Sequence, residues 1–437
     1  MNLAILDLFP ENWIMPLALV IFVLTYIGLL TFQKYRAYIA LGSASLFILL
    51  GYLPLGDIFT AIDWNVIMMI AGTMGLVAIF IESKMPALLA DKIIDKSPNV
   101  RVAILSLSVF AGVVSAFIDN VATVLMIAPI AITIAKKLKI SPIPSIIAIA
   151  VASNLEGAAT LVGDTTSILL GGHLNMDFFD FFFYHGNIGL FFINQAGLIG
   201  ATFVLYLIFR KAKQPVSLDE KTVVTNYFPT VLMLSVIVCL VIASFIPGKP
   251  AVTNGLICLS LMLIGVIHKF LTTKNTKALG ETLKEIDYFT LLLLAGLFMV
   301  IASITNAGVI DAIADGLSSI SGGNVFVIYT IIVWMSVLIS AFVDNIPYVA
   351  TMLPVVGGIS IALGLQDPTV LYFGLLVGAT LGGNLTPIGA SANITAIGIL
   401  RKEGHTVKTW DFMRIGIPYT MTAVIIGYLL VWFIFKA

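Results

Sequence analysis

The chain of 437 residues is 59% hydrophobic and 11% charged, and its 23 basic residues balance its 23 acidic ones. A mean hydropathy of +1.08 excludes a soluble globular domain, and no nucleic-acid partner is expected. The apolar runs last about 20 residues, the length of a membrane-crossing helix and not of an alternating barrel strand, so an all-α polytopic protein of the lipid bilayer is expected.

The N-terminus carries Asp7 and Glu11 and no basic residue before the first apolar run. That is not the start of a cleaved signal peptide, so 12–32 reads as a retained span. Spans follow at 36–55 and 64–82. A longer apolar block covers 101–138, then come an interrupted span at 144–175 and another at 187–209. The polar, basic stretch 211–227 reads as a linker. The same series then returns: 228–247, 251–270, 287–304, a second long block at 325–362, an interrupted span at 369–400, and 413–435. The chain thus divides into repeats at 1–210 and 228–437. Cys239 and Cys258 sit inside apolar runs and read as small core residues without a disulfide.

Each long block holds a copy of one motif. Residues 115–129 read SAFIDNVATVLMIAP and residues 340–354 read SAFVDNIPYVATMLP, aligned without a gap. Asp119-Asn120 and Asp344-Asn345 therefore stand in the middle of apolar stretches. A carboxylate is costly to desolvate, so a repeated one points to function. Capping of a hairpin-tip helix is the structural alternative, and the two roles are compatible. A second pair lies in the interrupted spans: SNLEGAATLVGDTTS at 153–167 and ATLGGNLTPIGASAN at 379–393. Glycine, hydroxyl residues and Pro387 weaken a helix and free its carbonyls and N–H groups for an ion or substrate. Close helix packing is the alternative for either segment taken alone.

Charge orients the chain. If each long block returns to its starting side and both termini lie outside, every basic residue except Lys249 and Lys436 falls on the cytoplasmic side, as the positive-inside rule requires. Two full crossings per block would give the same parity. Re-entrant hairpins with polar tips in a cavity are the expected form. Five spans are an odd number, so the second repeat must insert upside down relative to the first.

All Lys and Arg residues, and His173, His185, His268 and His405, fall in loops or at span ends. Asp119, Glu156, Asp164 and Asp344 then remain at membrane depth with no basic partner. Each needs a proton, hydrogen bonds or a bound cation. Carboxylate, amide, hydroxyl and freed carbonyl oxygens suit a small cation such as Na⁺, and a desolvated carboxyl can exchange protons near neutral pH. The candidate ion-binding residues are Asp119, Asn120, Asn154, Glu156, Thr160, Asp164, Asp344, Asn345, Asn384, Thr386 and Asn393. Asp119, Asn120, Asp344 and Asn345 are the expected Na⁺ ligands. No nucleotide-binding loop and no intramembrane histidine or cysteine cluster occurs, so neither an ATP-driven pump nor an enzyme is expected, nor any cofactor beyond Na⁺ or H⁺ as coupling ions.

In order, S-A-F-I-D-N, G-A-A-T-L-V-G-D, S-A-F-V-D-N-I-P and G-G-N-L-T-P-I-G-A-S-A-N resemble the ion transporter superfamily, in the branch of arsenite permeases, NhaD-type sodium/proton antiporters and the P protein, which is related to dicarboxylate–sodium symporters. The resemblance implies inverted repeats with re-entrant hairpins, a homodimer in the cell (inner) membrane and elevator-like movement. Glu156 replaces a glycine of the NhaD-like pattern, and Thr165, Thr166 and Ser167 replace Pro-Pro-Asn. The leading expectation is Na⁺(Li⁺)/H⁺ antiport. The alternatives are proton-coupled arsenite efflux and Na⁺-coupled transport of a carboxylate or other anion.

Overall fold

A computed structural model describes residues 10–216, 222–274, 280 and 282–436; Asp7, linker residues 217–221 and Lys277 lie outside the described residues. Among the described residues, eighteen helices of nine residues or more fall into two series of nine. The first series is α1 (Glu11–Thr31), α2 (Arg36–Leu50), α3 (Trp64–Glu82), α4 (Met85–Asp95), α5 (Val100–Ser115), α6 (Asn120–Leu138), α7 (Ile143–Gly157), α8 (Thr165–His173) and α9 (Leu190–Ile208). The second is α10 (Phe228–Ser244), α11 (Thr253–Thr273), α12 (Tyr288–Asn306), α13 (Val309–Ser321), α14 (Val325–Ser340), α15 (Asn345–Ala362), α16 (Thr369–Gly382), α17 (Ser391–Lys402) and α18 (Thr409–Phe435). Eight of them are long and apolar enough to cross a membrane, so the chain is a polytopic membrane protein.

The same caps start the same helices in both series. Asp63 accepts from Val66 N (3.0 Å) at α3, and Asp287 accepts from Thr290 N (3.1 Å) at α12. Asn99 accepts from Val102 N (3.1 Å) at α5, and Asn324 accepts from Phe326 N (2.9 Å) at α14. Each satisfies an amide that the first helical turn leaves without a partner. The long blocks 101–138 and 325–362 are helix pairs, α5–α6 and α14–α15, joined at the Asp-Asn motifs. The interrupted spans break where the small residues stand, α7 from α8 and α16 from α17.

Three features differ from expectation. The span expected at 36–55 stops at Leu50, where Gly51 turns the chain with φ 102°. Two amphipathic helices, α4 and α13, fill what the sequence left as connections; α13 meets α14 at 116°. They bury one face (Val309, Ile310 and Ala314 in α13) and are too short to span, so hydropathy alone passes over them. Finally, strands β1 (Phe183–Tyr184) and β2 (Asn187–Ile188) form a small hairpin before α9, which delays the span expected from 187. The described part of the linker docks on the first series: Val100 N donates to Gln214 O (2.9 Å), and Thr222 N donates to Asp91 (2.8 Å).

The series interlock. α3 packs along α11, and α12 packs along α2. Both crossings need a glycine at the equivalent place. A Cβ on Gly72 of α3 would lie 2.5 Å from the Cys258 backbone, and one on Gly296 of α12 would lie 2.8 Å from that of Ala40. Small residues permit such backbone approach where no water-driven force presses helices together. We expect Gly72→Leu to lower the thermal unfolding midpoint in detergent, because overpacking costs about 1–3 kcal/mol. Gly42→Leu, at a position with no neighbour within 4 Å, should not lower it. Equal midpoints for the two variants would refute the close α3–α11 crossing.

Candidate functional site

The two Asp-Asn turns and the two helix breaks assemble in the same way in each half. Thr160 Oγ1 donates to Ala116 O, and its mate Thr386 Oγ1 donates to Ala341 O. Ser167 Oγ donates to Gly157 O (3.2 Å), and its mate Asn393 Nδ2 donates to Gly383 O (3.1 Å). Gly163 and Gly389 press against the same turns: a Cβ on either would lie within 2.8 Å of two turn carbonyls, Ser115 and Ala116 or Ser340 and Ala341. A carbonyl of each break (Gly157 O, Gly383 O) and a carbonyl of each turn (Ala116 O, Ala341 O) are thus bound by side chains of the motifs themselves, as an apolar interior demands.

The halves are also sewn to each other. Asn120 Nδ2 donates to Asn154 Oδ1 (3.0 Å), and Asn154 Nδ2 donates to Thr380 O (2.8 Å) in the other half. Asn384 Nδ2 donates to Val151 O (2.9 Å) in return. The hydroxyls of Thr166 and Thr380 meet at 3.0 Å.

Both turn aspartates cap the helix that follows. Asp119 Oδ1 accepts from Val121 N (3.0 Å) and Ala122 N (3.1 Å); Asp344 Oδ1 accepts from Ile346 N (3.0 Å). Capping occupies one oxygen of each and leaves Oδ2 for another partner. Asp164 caps α8 through Thr165 N (2.7 Å), while its Oδ2 accepts from Thr166 Oγ1 (3.1 Å). Asn345 is satisfied with its amide nitrogen turned to Gly389 O (3.3 Å) and Ala379 O (3.2 Å).

These groups line a cavity of about 300 Å³. Asp119, Asn120, Asn154, Asp164, Asp344 and Asn345 all reach it. The other five candidates do not line it. Thr160 and Thr386, and the amide nitrogens of Asn384 and Asn393, make the contacts above, while Asn384 Oδ1 and Asn393 Oδ1 are buried without a partner. Glu156 lies two residues past Asn154, about 200° around the helix, so it points away; it is fully buried and accepts from Gln195 Nε2. Its other oxygen has no partner.

One expectation is overturned. The sequence left Asp344 without a basic neighbour, yet Arg36 Nη1 donates to Asp344 Oδ2 at 2.7 Å. Arg36 is the first residue of α2, and its long side chain carries charge inward from a span end. Asp287 and Glu285, both exposed at their own end, also line the cavity and were likewise missed. Asp287 had a signal, its mate Asp63 at the head of the equivalent helix. The cavity meets α3 along Met74–Ile81, its C-terminal half, but α12 through Thr290 and Leu293 at its N-terminal end. The equivalent helices therefore offer it opposite ends.

Lys249 pairs with Asp177, to which Asn254 also donates (3.4 Å), and His173 meets the Tyr372 hydroxyl at 3.2 Å. Asp367, in the loop before α16, lies below the usual carboxylate range: burial opposes this, but hydrogen bonds from the Thr369 hydroxyl and amide, and from His185, outweigh it.

A polytopic bundle with paired helix breaks around one polar cavity defines a membrane transporter of the secondary class. The chain belongs to the CitMHS citrate transporter family, whose model matches residues 19–378. It is 32% identical over 430 residues to an uncharacterized transporter of Mycobacterium tuberculosis, covering 95% of this chain and 97% of that one. It is 26% identical to the human P protein over 85% of this chain and 54% of that protein. Among solved structures it is similar to the YdaH transporter of Alcanivorax borkumensis, at TM-score 0.62 and 14% identity over 87% of each chain. It is also similar to MtrF of Neisseria gonorrhoeae, described as one of a class of antimetabolite efflux pumps, at TM-score 0.54 and 14% identity over 94% of this chain and 85% of that one.

The caps yield a direct check. Asp119→Ala should destabilise the folded protein by about 0.5–2 kcal/mol, whereas Asp119→Asn, an equally good cap, should leave its thermal midpoint near that of the wild type. Equal losses in both would show that the charge, and not the cap, holds the turn.

Proposed function

We propose that the protein exchanges Na⁺ or Li⁺ for H⁺. The supporting observation is the cavity, where Asp119, Asp164 and Asp344 converge with the amides of Asn120, Asn154 and Asn345. Three carboxylates, two at the turns and one at a break, against one guanidinium leave a net acidic chamber. Among the described residues no three His, Cys, Asp or Glu side chains are grouped to hold a metal ion. A seat of one carboxylate with amide and carbonyl oxygens suits a weakly held monovalent ion, and the same carboxylates can take up a proton when it leaves. Coupling then follows from competition for one negative site.

In this reading the two series are inverted repeats, the Asp-Asn helix pairs are re-entrant hairpins, and both termini are extracytoplasmic in the cell (inner) membrane. The cavity then opens to the cytoplasm, where Arg36 and Glu285 lie. The Asp-Asn turns and broken helices move as an elevator against α1–α3 and α10–α12, in a homodimer.

A second reading is Na⁺-coupled uptake of a carboxylate, favoured by the family's citrate description and by Arg36, which brings a carboxylate-binding group to the cavity wall. Proteoliposomes loaded with a pH-sensitive dye separate the two. We expect external Na⁺ or Li⁺ to move protons without any organic anion, and Asp119→Asn and Asp344→Asn to abolish the signal while the protein stays folded. No proton movement at any pH around neutrality, with labelled citrate accumulating on a Na⁺ gradient, would replace antiport by symport. Labelled arsenite moved by a proton gradient alone would select efflux of a neutral oxyacid.

A further inference from the structure

Arg36 is a cation already seated at the candidate ion site. Its Nη1 holds Asp344 Oδ2 at 2.7 Å, and Asp344 Oδ1 is engaged by the Ile346 amide. Oδ2 is thus the oxygen that a transported cation would take, and Ser391 Oγ donates to it at 3.5 Å. The pair is only partly buried, with side-chain exposures of 22% and 17%. On the Arg36 side, Nε is buried without a partner. A guanidinium fixed for structure alone would have its buried donors satisfied; among the described residues this one has Asp344 as its one ion-pair partner.

The tie joins two parts of the molecule. Arg36 belongs to α2, which packs on α12, whereas Asp344 heads α15 at the second Asp-Asn turn. Close by, the Tyr26 hydroxyl of α1 donates to Pro347 O (2.7 Å) and touches the Thr351 hydroxyl. The α1–α2 corner therefore grips the start of α15 at two points. The first Asp-Asn turn has no such grip: among the described residues Asp119 pairs with no basic side chain.

We infer that Arg36 acts as a tethered substitute for the transported cation, neutralising Asp344 and latching the second hairpin to α1–α2 whenever the site is empty. A cation arriving at Asp344 must displace the guanidinium, and the displacement leaves the hairpin held at this corner by Tyr26 alone. The latch suppresses transit of the unloaded carrier, which is the condition for tight coupling. A competitor that is part of the protein also weakens apparent cation affinity, because its own interaction must be broken first. This inference rests on the cation reading proposed above.

The test is equilibrium binding of radioactive Na⁺ to purified full-length protein, with hydrogen exchange of the amides at 341–346 as a second readout. Arg36→Gln should bind Na⁺ about tenfold more tightly than the wild type, a gain of about 1.4 kcal/mol. Its turn amides should exchange quickly without Na⁺, whereas the wild type should reach that rate only when Na⁺ is added. Arg36→Lys, which keeps the charge, should restore wild-type affinity. Unchanged or weaker Na⁺ binding in Arg36→Gln overturns the latch and leaves the antiport reading standing. Absence of Na⁺ binding in the wild type overturns both. Loss of citrate binding in Arg36→Gln with Na⁺ binding unchanged assigns Arg36 to an anionic substrate and overturns the latch.

Discussion

A helix broken inside an apolar interior exposes N–H and C=O groups that no water can satisfy, and the centre of this molecule is arranged around that constraint. At the breaks after Gly157 and Gly382, Ser167 and Asn393 bind carbonyls that would otherwise be stranded, and Thr160 and Thr386 bind those of the adjoining turns. The same side chains press the breaks onto the Asp-Asn turns. The cavity is therefore a by-product of satisfied backbone: its walls are helix ends, and its polar groups are those left over once the turns are capped. Thr160 and Thr386 hydrogen-bond turn carbonyls, while Asp119, Asn120, Asn154, Asp164, Asp344 and Asn345 line the open space.

Much of the architecture was legible because the chain states it twice. The duplicated SAFIDN and SAFVDN runs stand where the structure joins two helices, and the paired G-rich segments stand where a helix is interrupted. The residues converging on the cavity were legible for the same reason. What escaped was set by three-dimensional reach. Arg36 stands at a span end and looks like any residue of a basic loop; only the placement of α2 beside α15 brings its guanidinium to Asp344. Glu156 does not line the cavity with Asn154, because two residues along a helix separate nearly opposite faces. The amphipathic α4 and α13 escaped because a one-sided helix of 11 or 13 residues carries too little hydropathy to register as a span.

The pseudo-symmetry also shows where function must break it. Thr160 and Thr386, Gly163 and Gly389, and Ser167 and Asn393 keep equivalent roles in both halves, so the frame is symmetric. The charges are not. Asp164 stands opposite Ala390, and Asp344 has a guanidinium that Asp119 lacks. The frame is required for stability in lipid and constrains both halves alike. Charge placement answers only to the cavity and is free to differ.

The bonds that cross between halves carry a consequence for biogenesis. Asn154 hydrogen-bonds the carbonyl of Thr380, and Asn384 hydrogen-bonds that of Val151. α2 and α3 likewise find their main helical neighbours in α12 and α11. Neither half can close its own centre. A nascent chain that has threaded only its first series, which ends at Ile208, into the bilayer holds open helix ends until residues 380–384 are delivered, more than 170 residues later in synthesis. The insertion machinery must shelter these segments during that interval, and the functional centre is among the last parts of the molecule to form.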